Sequence, residues 1–290
     1  MSLYRNILWF IKGMREYTRS GFENASKSFA AKDLDVSMVG RSFMITGANS
    51  GIGKATAMAI AKKGGTVHIV CRNKERAEKA REEIISASGN TMVFVHVLDL
   101  SESRKVWEFA EAFKKEHTSL NVLINNAGCM VNQREINSDG LEKNFATNTL
   151  GVYILTKCLI PLLEKSRDPR VRQQVVMTEF WAKAYPKIHF SVMHPGWADT
   201  PAVSSAMPQF YHLMRDRLRS AEQGSDTLIW LAMSRVTITF PSGLFFQDRQ
   251  PVSVHLPLAW THSTRKEVKA FMRRLETLAI SVKHSEGDNI

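Results

Sequence analysis

A glycine-rich loop near the start of the chain has the residue types and spacing that bind a dinucleotide pyrophosphate. It covers residues 46–53 and lies between a short apolar segment and a segment of helical pattern. Glycines allow a tight turn and a close approach of the main chain to phosphate, and the free N–H groups of the next helix attract anions. Because strand, turn and helix follow in this order, we predict a phosphate site here. The loop residues predicted to bind the cofactor are Gly47, Asn49, Ser50, Gly51, Ile52 and Gly53.

The residue after the second predicted strand indicates which dinucleotide binds. An acidic residue at this place binds the ribose 2′-hydroxyl of NAD, whereas a cation accommodates the 2′-phosphate of NADP. Here the strand is followed by Arg72, Asn73 and Lys74. The sequence therefore favours NADP(H) over NAD(H). The alternative is that Arg72 lies in solvent at a strand end and binds nothing.

Strand-like and helical segments alternate along the rest of the chain. The predicted strands are 41–45, 66–71, 91–98, 120–124, 188–193 and 243–246. The predicted helices are 54–63, 74–88, 102–116, 139–165, 173–184, 220–233 and 264–282. Repeated β-α-β units form a parallel sheet with helices on both faces. The predicted fold class is therefore α/β, a Rossmann-type doubly wound parallel sheet.

Five motifs, taken in order, resemble those of the short-chain dehydrogenase/reductase family, over about residues 39–257. The loop 46–53 is similar to the family's T-G-x-x-x-G-x-G signature. By the same resemblance, the family's adenine-contacting aspartate corresponds to Asp99, which Leu100 follows. Its N-N-A-G motif corresponds to Asn126, Ala127 and Gly128, and its P-G-x-x-x-T nicotinamide loop to Pro195, Gly196 and Thr200. Asn148 resembles the asparagine that holds the proton-relay water. The resemblance implies hydride transfer between NADP(H) and a small carbonyl or alcohol, lipid-like or aromatic.

The family's catalytic serine and Tyr-x-x-x-Lys are missing from their expected place. The serine hydrogen-bonds the substrate oxygen, the tyrosine exchanges its proton, and the lysine lowers the tyrosine pKa. Only residues 166–171 are available for a turn, a buried strand, a serine loop and a helix start, which is too few. We therefore predict an in-frame deletion between Val171 and Arg172, as exon skipping would produce. The fifth strand and the start of the next helix would be lost.

Tyr153 and Lys157 do have the Tyr-x-x-x-Lys spacing and would share one helix face. They follow Asn148 closely, however, on the helix before the one that should carry the pair. We expect them not to be catalytic. His194, beside Pro195, is likewise expected to pack the loop rather than to act as an acid or base.

Three functions remain open at the level of sequence. The first is an NADP(H)-dependent oxidoreductase, as the family implies. The second is a non-catalytic NADP-binding or scaffold protein, and the third is a poorly folded splice product. Loss of a central strand would forfeit ~1.5–3 kcal/mol for each buried apolar side chain, against the 5–15 kcal/mol typical of a domain. This cost favours the second and third functions.

Residues 1–38 differ from the rest of the chain. Leu3, Ile7 and Ile11 recur at helical spacing, and Arg5 and Lys12 lie around them. Such a basic amphipathic helix suits peripheral membrane contact through residues 1–20, or docking on the domain. We expect a polar connector over 20–38, an NADP-binding domain over 39–260, and a C-terminal helix and tail over 261–290.

Charge and composition limit the partners and the compartment. Lysine and arginine total 39 against 28 acidic residues, a net charge of +11, without a long basic run or a nucleic-acid motif. We therefore expect no nucleic-acid partner. The three cysteines lack metal or disulfide spacing, so we expect reduced thiols and no metal. No apolar stretch is long enough to cross a bilayer or to form a secretory signal, so we expect a cytoplasmic protein, with association at a membrane surface left open.

Overall fold

One eight-stranded sheet with the strand order β3-β2-β1-β4-β5-β6-β7-β8 forms the centre of the protein. The structure is a computed structural model, and it describes residues 3–172, 175–255 and 261–284. The first seven strands in this order pair in parallel, and the short β8 pairs antiparallel with β7. The predicted Rossmann-type fold is confirmed.

The predicted strands and helices are present, with small shifts at their ends, but strands 170–172 and 250–251 and helices 19–26, 201–206 and 208–214 were not predicted. The strands are β1 Ser42–Thr46, β2 Thr66–Cys71, β3 Val93–Val97, β4 Val122–Ile124, β5 Arg170–Arg172, β6 His189–His194, β7 Leu244–Gln247 and β8 Gln250–Pro251. The helices are α1 Leu3–Lys12, α2 Arg19–Ser26, α3 Gly51–Lys62, α4 Lys74–Ser88, α5 Ser103–Glu116, α6 Lys143–Phe145, α7 Val152–Glu164, α8 Val175–Ala184, α9 Pro201–Ala206, α10 Pro208–Met214, α11 Ala221–Met233 and α12 Arg265–His284. The predicted start of α8 at Gln173, the domain end at 260 and the tail 285–290 lie outside the described residues.

Two apolar layers cover the sheet because its central strands carry apolar side chains on both faces. On one face α5, α7, α8 and α12 enclose a core that includes Met44, Leu123 and Phe190. On the other face α3, α4 and α11 enclose Phe43 and Ile45. The carboxyl ends of the parallel strands therefore share one edge of the molecule, where ligands bind in folds of this kind.

The prediction that the fifth strand is absent was wrong. Residues Arg170–Arg172 form β5, which pairs in parallel with β4 and with β6. Three residues suffice because β4 is equally short and because pairing uses main-chain groups, which every residue supplies. Neighbouring strands are consequently not left unpaired. The energetic cost of forming β5 here arises instead from burying its side chains.

Two arginines of β5 are buried beneath the C-terminal end of α11. Arg170 forms an ion pair with Asp168 at 2.6 Å and donates to the carbonyl of Ser234 at 2.8 Å. Arg172 donates to the carbonyls of His189, at 3.2 Å, and Leu231, and its Nε has no acceptor among the described residues. Carbonyls at a helix C-terminus attract cations, which explains why β5 can form with these residues.

The N-terminal residues divide into an exposed helix and a docked segment. α1 buries none of its residues, and Leu3 is 75% exposed. The next turn, Gly13–Tyr17, is π-helical and buries Tyr17 against the domain. The predicted polar connector is instead partly helical, because the Thr18 side chain accepts from the main-chain N–H of Gly21 and thereby caps α2.

Among the described residues, one helix could cross a membrane by length and composition, contrary to the expectation from the sequence. It is Lys143–Glu164, which runs continuously through α6, a π-helical turn and α7. Inside the protein, 72% of its most apolar window is buried. A core helix of a folded domain has this property too, so the helix is weak support for a membrane span.

Candidate functional site

A cleft of about 870 Å³ lies at the carboxyl ends of β1, β2, β3 and β4. It contains most of the residues that were predicted to bind a cofactor. These are Gly47, Asn49, Ser50, Gly51, Ile52, Gly53, Arg72, Asp99, Leu100, Asn126, Ala127, Gly128 and Thr200. Pro195, Gly196 and Asn148 do not line the cleft. Segments widely separated in the sequence are thus brought to one concave surface.

The glycine loop is fixed to the loop after β4. The Thr46 hydroxyl accepts from the main-chain N–H groups of Asn126, at 3.0 Å, and Ala127, at 2.9 Å. The Asn126 side chain donates to the Thr46 carbonyl at 2.9 Å. Gly47 has φ +67°, and a Cβ there would approach the Ala127 Cα to 2.9 Å, so a side chain would force the two loops apart. The cradle therefore depends on the absence of side chains.

Cations gather at the end of the cleft next to β2. Arg72 and Arg76 both line it, and so does Lys143, which pairs with Glu135 at 2.6 Å. Asp99 lies nearby, and its carboxylate accepts from the Ser101 main chain at 2.9 Å and hydroxyl at 2.8 Å. Neither Arg76 nor Lys143 was predicted from the sequence. Arg76 could have been found from the sequence, because it lies four residues after Arg72 in the first turn of the following helix.

Asn148 lies behind the cleft and holds its floor. The main-chain N–H of Cys129 donates to the Asn148 side chain at 2.8 Å, and that side chain donates to the Cys129 carbonyl at 2.7 Å. Asn148 belongs to the π-helical turn Ala146–Gly151, a wider turn that often occurs at functional positions. Its role in a proton relay stays a prediction.

Tyr153 and Lys157 face away from the cleft, toward the C-terminal helix. The Tyr153 hydroxyl donates to Glu276, and Lys157 pairs with the same carboxylate at 2.8 Å. Burial and the Glu276 carboxylate both raise the pKa of Tyr153. A tyrosine that passes protons near neutral pH needs the opposite shift. The pair therefore links α7 to α12.

Among the described residues that line the cleft there is no tyrosine, and the lysine among them is Lys143. β5 ends at Arg172, the next two residues lie outside the described ranges, and α8 begins at Val175. Neither β5 nor α8 contributes a described residue to the cleft. The elements that should present a hydroxyl to a substrate thus lie elsewhere.

The wall formed by α9 was not foreseen either. Pro201, Ala202, Ser205 and Ala206 line the cleft, and Asn132 donates from the opposite loop to the Ala206 carbonyl at 2.9 Å. This hydrogen bond joins the two rims. The wall could have been anticipated only from the position of Thr200, which caps α9.

The loop 194–197 supports this wall from behind. Nδ1 of His194 accepts from the main-chain N–H of Gly196 at 3.0 Å, and its ring packs against Tyr17 in a tilted arrangement, with 4.3 Å between the ring centroids. Burial, chiefly, lowers the pKa of His194 to about 4, so the ring is neutral near pH 7. This agrees with the expected packing role.

Comparison with known proteins gives the same assignment as the motifs. The family model described as short chain dehydrogenase matches residues 41–173. A human protein named dehydrogenase/reductase SDR family member 12 is 55% identical, over 98% of this chain and 100% of its own. That alignment covers 318 positions, more than the 290 residues of this chain, so some positions of the human protein have no counterpart here.

More distant proteins resemble part of the chain or its fold. Bovine retinol dehydrogenase 12 is 42% identical over 47% of this chain and 43% of its own. A short-chain dehydrogenase from Shigella flexneri, in complex with NADP, has a TM-score of 0.60 at 21% identity, over 73% of this chain and 98% of its own. An Escherichia coli counterpart in complex with NADPH has a TM-score of 0.61 at 21% identity, over 76% of this chain and 100% of its own. With the human relative matched over nearly the whole chain, these findings show that the protein belongs to the short-chain dehydrogenase/reductase family.

Proposed function

We propose that this chain binds NADP(H) in the cleft and does not carry out the family's hydride transfer. One observation carries the proposal. The cleft has a phosphate loop and cations but no tyrosine among its described lining residues, while Tyr153 is hydrogen-bonded to Glu276 on another side of α7. The described lining residues therefore offer groups for binding the cofactor but no tyrosine for proton transfer.

The cleft residues fit a dinucleotide in size and in chemistry. Its volume of about 870 Å³ lies in the range of cofactor pockets. The N-terminus of α3 faces the cleft and can receive the pyrophosphate. Because Gly47 has no side chain, the phosphate can approach the main chain there. Arg72, with Arg76, would hold the 2′-phosphate, and Asp99 the adenine end. When bound, the cofactor would supply a hydride donor or acceptor.

The remaining residues would position the nicotinamide half. Asn126, Ala127 and Gly128 form the floor, and Thr200 stands opposite Gly51 on the other rim. Loss of general acid–base catalysis alone slows a reaction by about 10²–10⁴-fold. Without the lysine that also grips the ribose, the loss of activity should exceed this range.

We further infer that a segment is missing in frame between Val171 and Arg172. The alignment with the human relative contains positions absent from this chain, and the family model match ends at residue 173. Three buried polar atoms near the inferred junction have no hydrogen-bond partner among the described residues: Arg172 Nε, Ser191 Oγ on the paired strand β6, and Oδ1 of Asn125, whose main-chain N–H donates to the Arg172 carbonyl. Native structures leave few such groups, so this part of the sequence fits its surroundings poorly.

A second candidate is an active oxidoreductase of lipid-like or aromatic carbonyls. The names of the retinol dehydrogenase relatives favour it, since retinol is an apolar alcohol. It would require a proton donor other than the missing tyrosine. The third candidate, a poorly folded splice product, is favoured by the burial of Arg172.

Peripheral membrane contact through residues 1–20 is part of the proposal on location. Leu3, Ile7 and Ile11 of α1 are exposed, and Arg5 and Lys12 lie among them. Exposed apolar residues flanked by cations suit an anionic membrane surface.

Isothermal titration of the full chain with NADPH and NADH tests the binding proposal. NADPH should bind more tightly by ~1.5–3 kcal/mol, the value of a charge-assisted contact. Arg72→Asp should reverse this order. Arg235→Asp, the same charge change at an exposed residue that does not line the cleft, should leave the order unchanged. Equal affinities for the two cofactors before and after Arg72→Asp would refute the proposed preference.

A further inference from the structure

We propose that Arg219 is the positioning residue of the cofactor loop 195–200, and that the N-terminal turn Gly13–Tyr17 belongs to the same anchor. The side chain of Arg219 is only 1% exposed and lies directly behind the loop. It does not line the cleft and therefore acts through the loop. The inference rests on the proposed binding of NADP(H) and adds residues to it.

The guanidinium of Arg219 joins three separate segments. It forms a bidentate ion pair with Asp248 at 2.6 and 2.9 Å. It donates to the carbonyl of Pro195 at 3.4 Å, and to the carbonyls of Glu16 at 2.5 Å and Thr18 at 3.2 Å. The charge is thus paired and all three nitrogens have acceptors, the conditions under which a buried arginine is tolerated. A lysine has a single nitrogen and could not reach all four partners.

The main chain strengthens this arrangement. Trp197 donates to the carbonyl of Tyr17, and Arg219 donates to the carbonyl of Trp197, both at 2.8 Å. Asp199 in turn donates to the carbonyl of Arg219 at 2.8 Å. The loop is therefore held between the N-terminal turn and residue 219, like a strand between two neighbours. Thr200, at the rim of the cleft, follows immediately.

The glycine at position 196 is explained by the same contact. Gly196 has φ +72°, and a Cβ there would collide with the Arg219 side chain. The Arg219 side chain therefore fills the space that a side chain at position 196 would need. Gly13 has an equivalent relation to Trp197, whose ring a Cβ would strike. Packing of the N-terminal turn is thereby tied to the conformation of the loop.

A consequence is that cofactor affinity depends on residues far from the cofactor. If the anchor is weakened, the loop is in its binding conformation for a smaller fraction of the time. The apparent Kd rises in proportion to the loss of that fraction. Should the fraction fall to about a tenth, Kd would rise about tenfold.

The test compares Arg219→Met with a matched control, Arg249→Met, in the full chain. Arg249 also forms a buried bidentate pair, with Asp226 at 2.8 and 2.6 Å, but among the described residues it makes no hydrogen bond to the loop 195–200. We expect NADPH to bind about tenfold more weakly to Arg219→Met, measured below its melting temperature, and within about twofold of wild type to Arg249→Met. Equal effects on Kd would overturn the proposal.

Hydrogen exchange at the Trp197 and Asp199 amides provides a second measurement. The milder variant Arg219→Lys serves if Arg219→Met does not fold. In the free protein, Arg219→Lys should speed exchange at both amides, whereas Arg249→Met should not. Unchanged exchange in Arg219→Lys would overturn the positioning role. Failure of the wild type to bind NADPH would instead refute the proposed function, and the exchange comparison would still decide the role of Arg219.

Discussion

Replacing Arg172 with methionine should stabilise the protein, although it removes hydrogen bonds. Arg172 is 2% exposed and has no acidic partner among the described residues. Burial and the neighbouring charge of Arg170 both lower the pKa of Arg172. An arginine nevertheless keeps its proton at any pH of interest, so the folded state carries the cost of the buried charge.

The magnitude follows from opposing contributions. Desolvation of an ion costs several kcal/mol, and repulsion from Arg170, about 7 Å along the strand, adds up to about 2 kcal/mol. The helix-end and strand carbonyls that accept from Arg172 return about 1–3 kcal/mol. A buried methionine side chain contributes ~1.5–3 kcal/mol. Replacing such charges by apolar residues is stabilising by about 1–4 kcal/mol in comparable cases, and we expect the same range here.

Urea unfolding gives the free energy of unfolding for wild type, Arg172→Met and Arg170→Met. Arg170 lies on the same face of the same strand but pairs with Asp168, so its replacement should destabilise by about 3–5 kcal/mol. The two variants should therefore have opposite signs at an unchanged m-value. If Arg172→Met destabilises as much as Arg170→Met, the view of Arg172 as an unpaired, misplaced charge is incorrect.

Three further predictions concern the cofactor, pH and the membrane. Arg76→Ala should weaken NADPH about fivefold in titration and leave NADH unchanged, since an exposed ionic contact contributes roughly 1 kcal/mol. Burial lowers the pKa of His68 to about 3 and the pKa of His96 to about 4. The unfolded state therefore binds more protons below pH 6.5, and the free energy of unfolding should fall from about pH 6.5 toward pH 4. A urea midpoint that does not change over this pH range would contradict this prediction. Ile11→Asp should abolish sedimentation with anionic vesicles, while Val39→Asp, at another exposed apolar site off the helix, should not; loss in both or in neither would count against contact through α1.

The position of the cleft could be predicted from the sequence because the residues that form it are local to strand ends. The glycine loop, Arg72 and Asp99 each follow a strand. Because parallel strands end at one edge of the sheet, the predicted strands alone indicate that these residues lie close together. Arg76 and the α9 wall escaped because they have no motif of their own. Their place in the cleft depends on how the loops fold over it.

The fate of β5 and of the N-terminal turn could not be predicted because it depends on tertiary contacts. The sequence around Arg172 does not read as a buried strand, yet main-chain pairing with β4 and β6 and the carbonyls of α11 accommodate it. Similarly, nothing local to Tyr153 reveals Glu276, more than a hundred residues away. The amphipathic pattern of the N-terminus left docking and membrane contact open, and Tyr17 docks while α1 stays exposed.

We propose that the chain binds NADPH but does not transfer its hydride by the family's chemistry. A panel of carbonyl substrates with NADPH, followed at the nicotinamide absorbance, tests it directly when the melting temperature is measured in parallel. We expect no turnover above background and a melting temperature raised by NADPH. Turnover that disappears in Tyr153→Phe would refute this proposal and make Tyr153 and Lys157 the catalytic pair. Turnover that survives this change would equally contradict it, since another residue would then supply the proton.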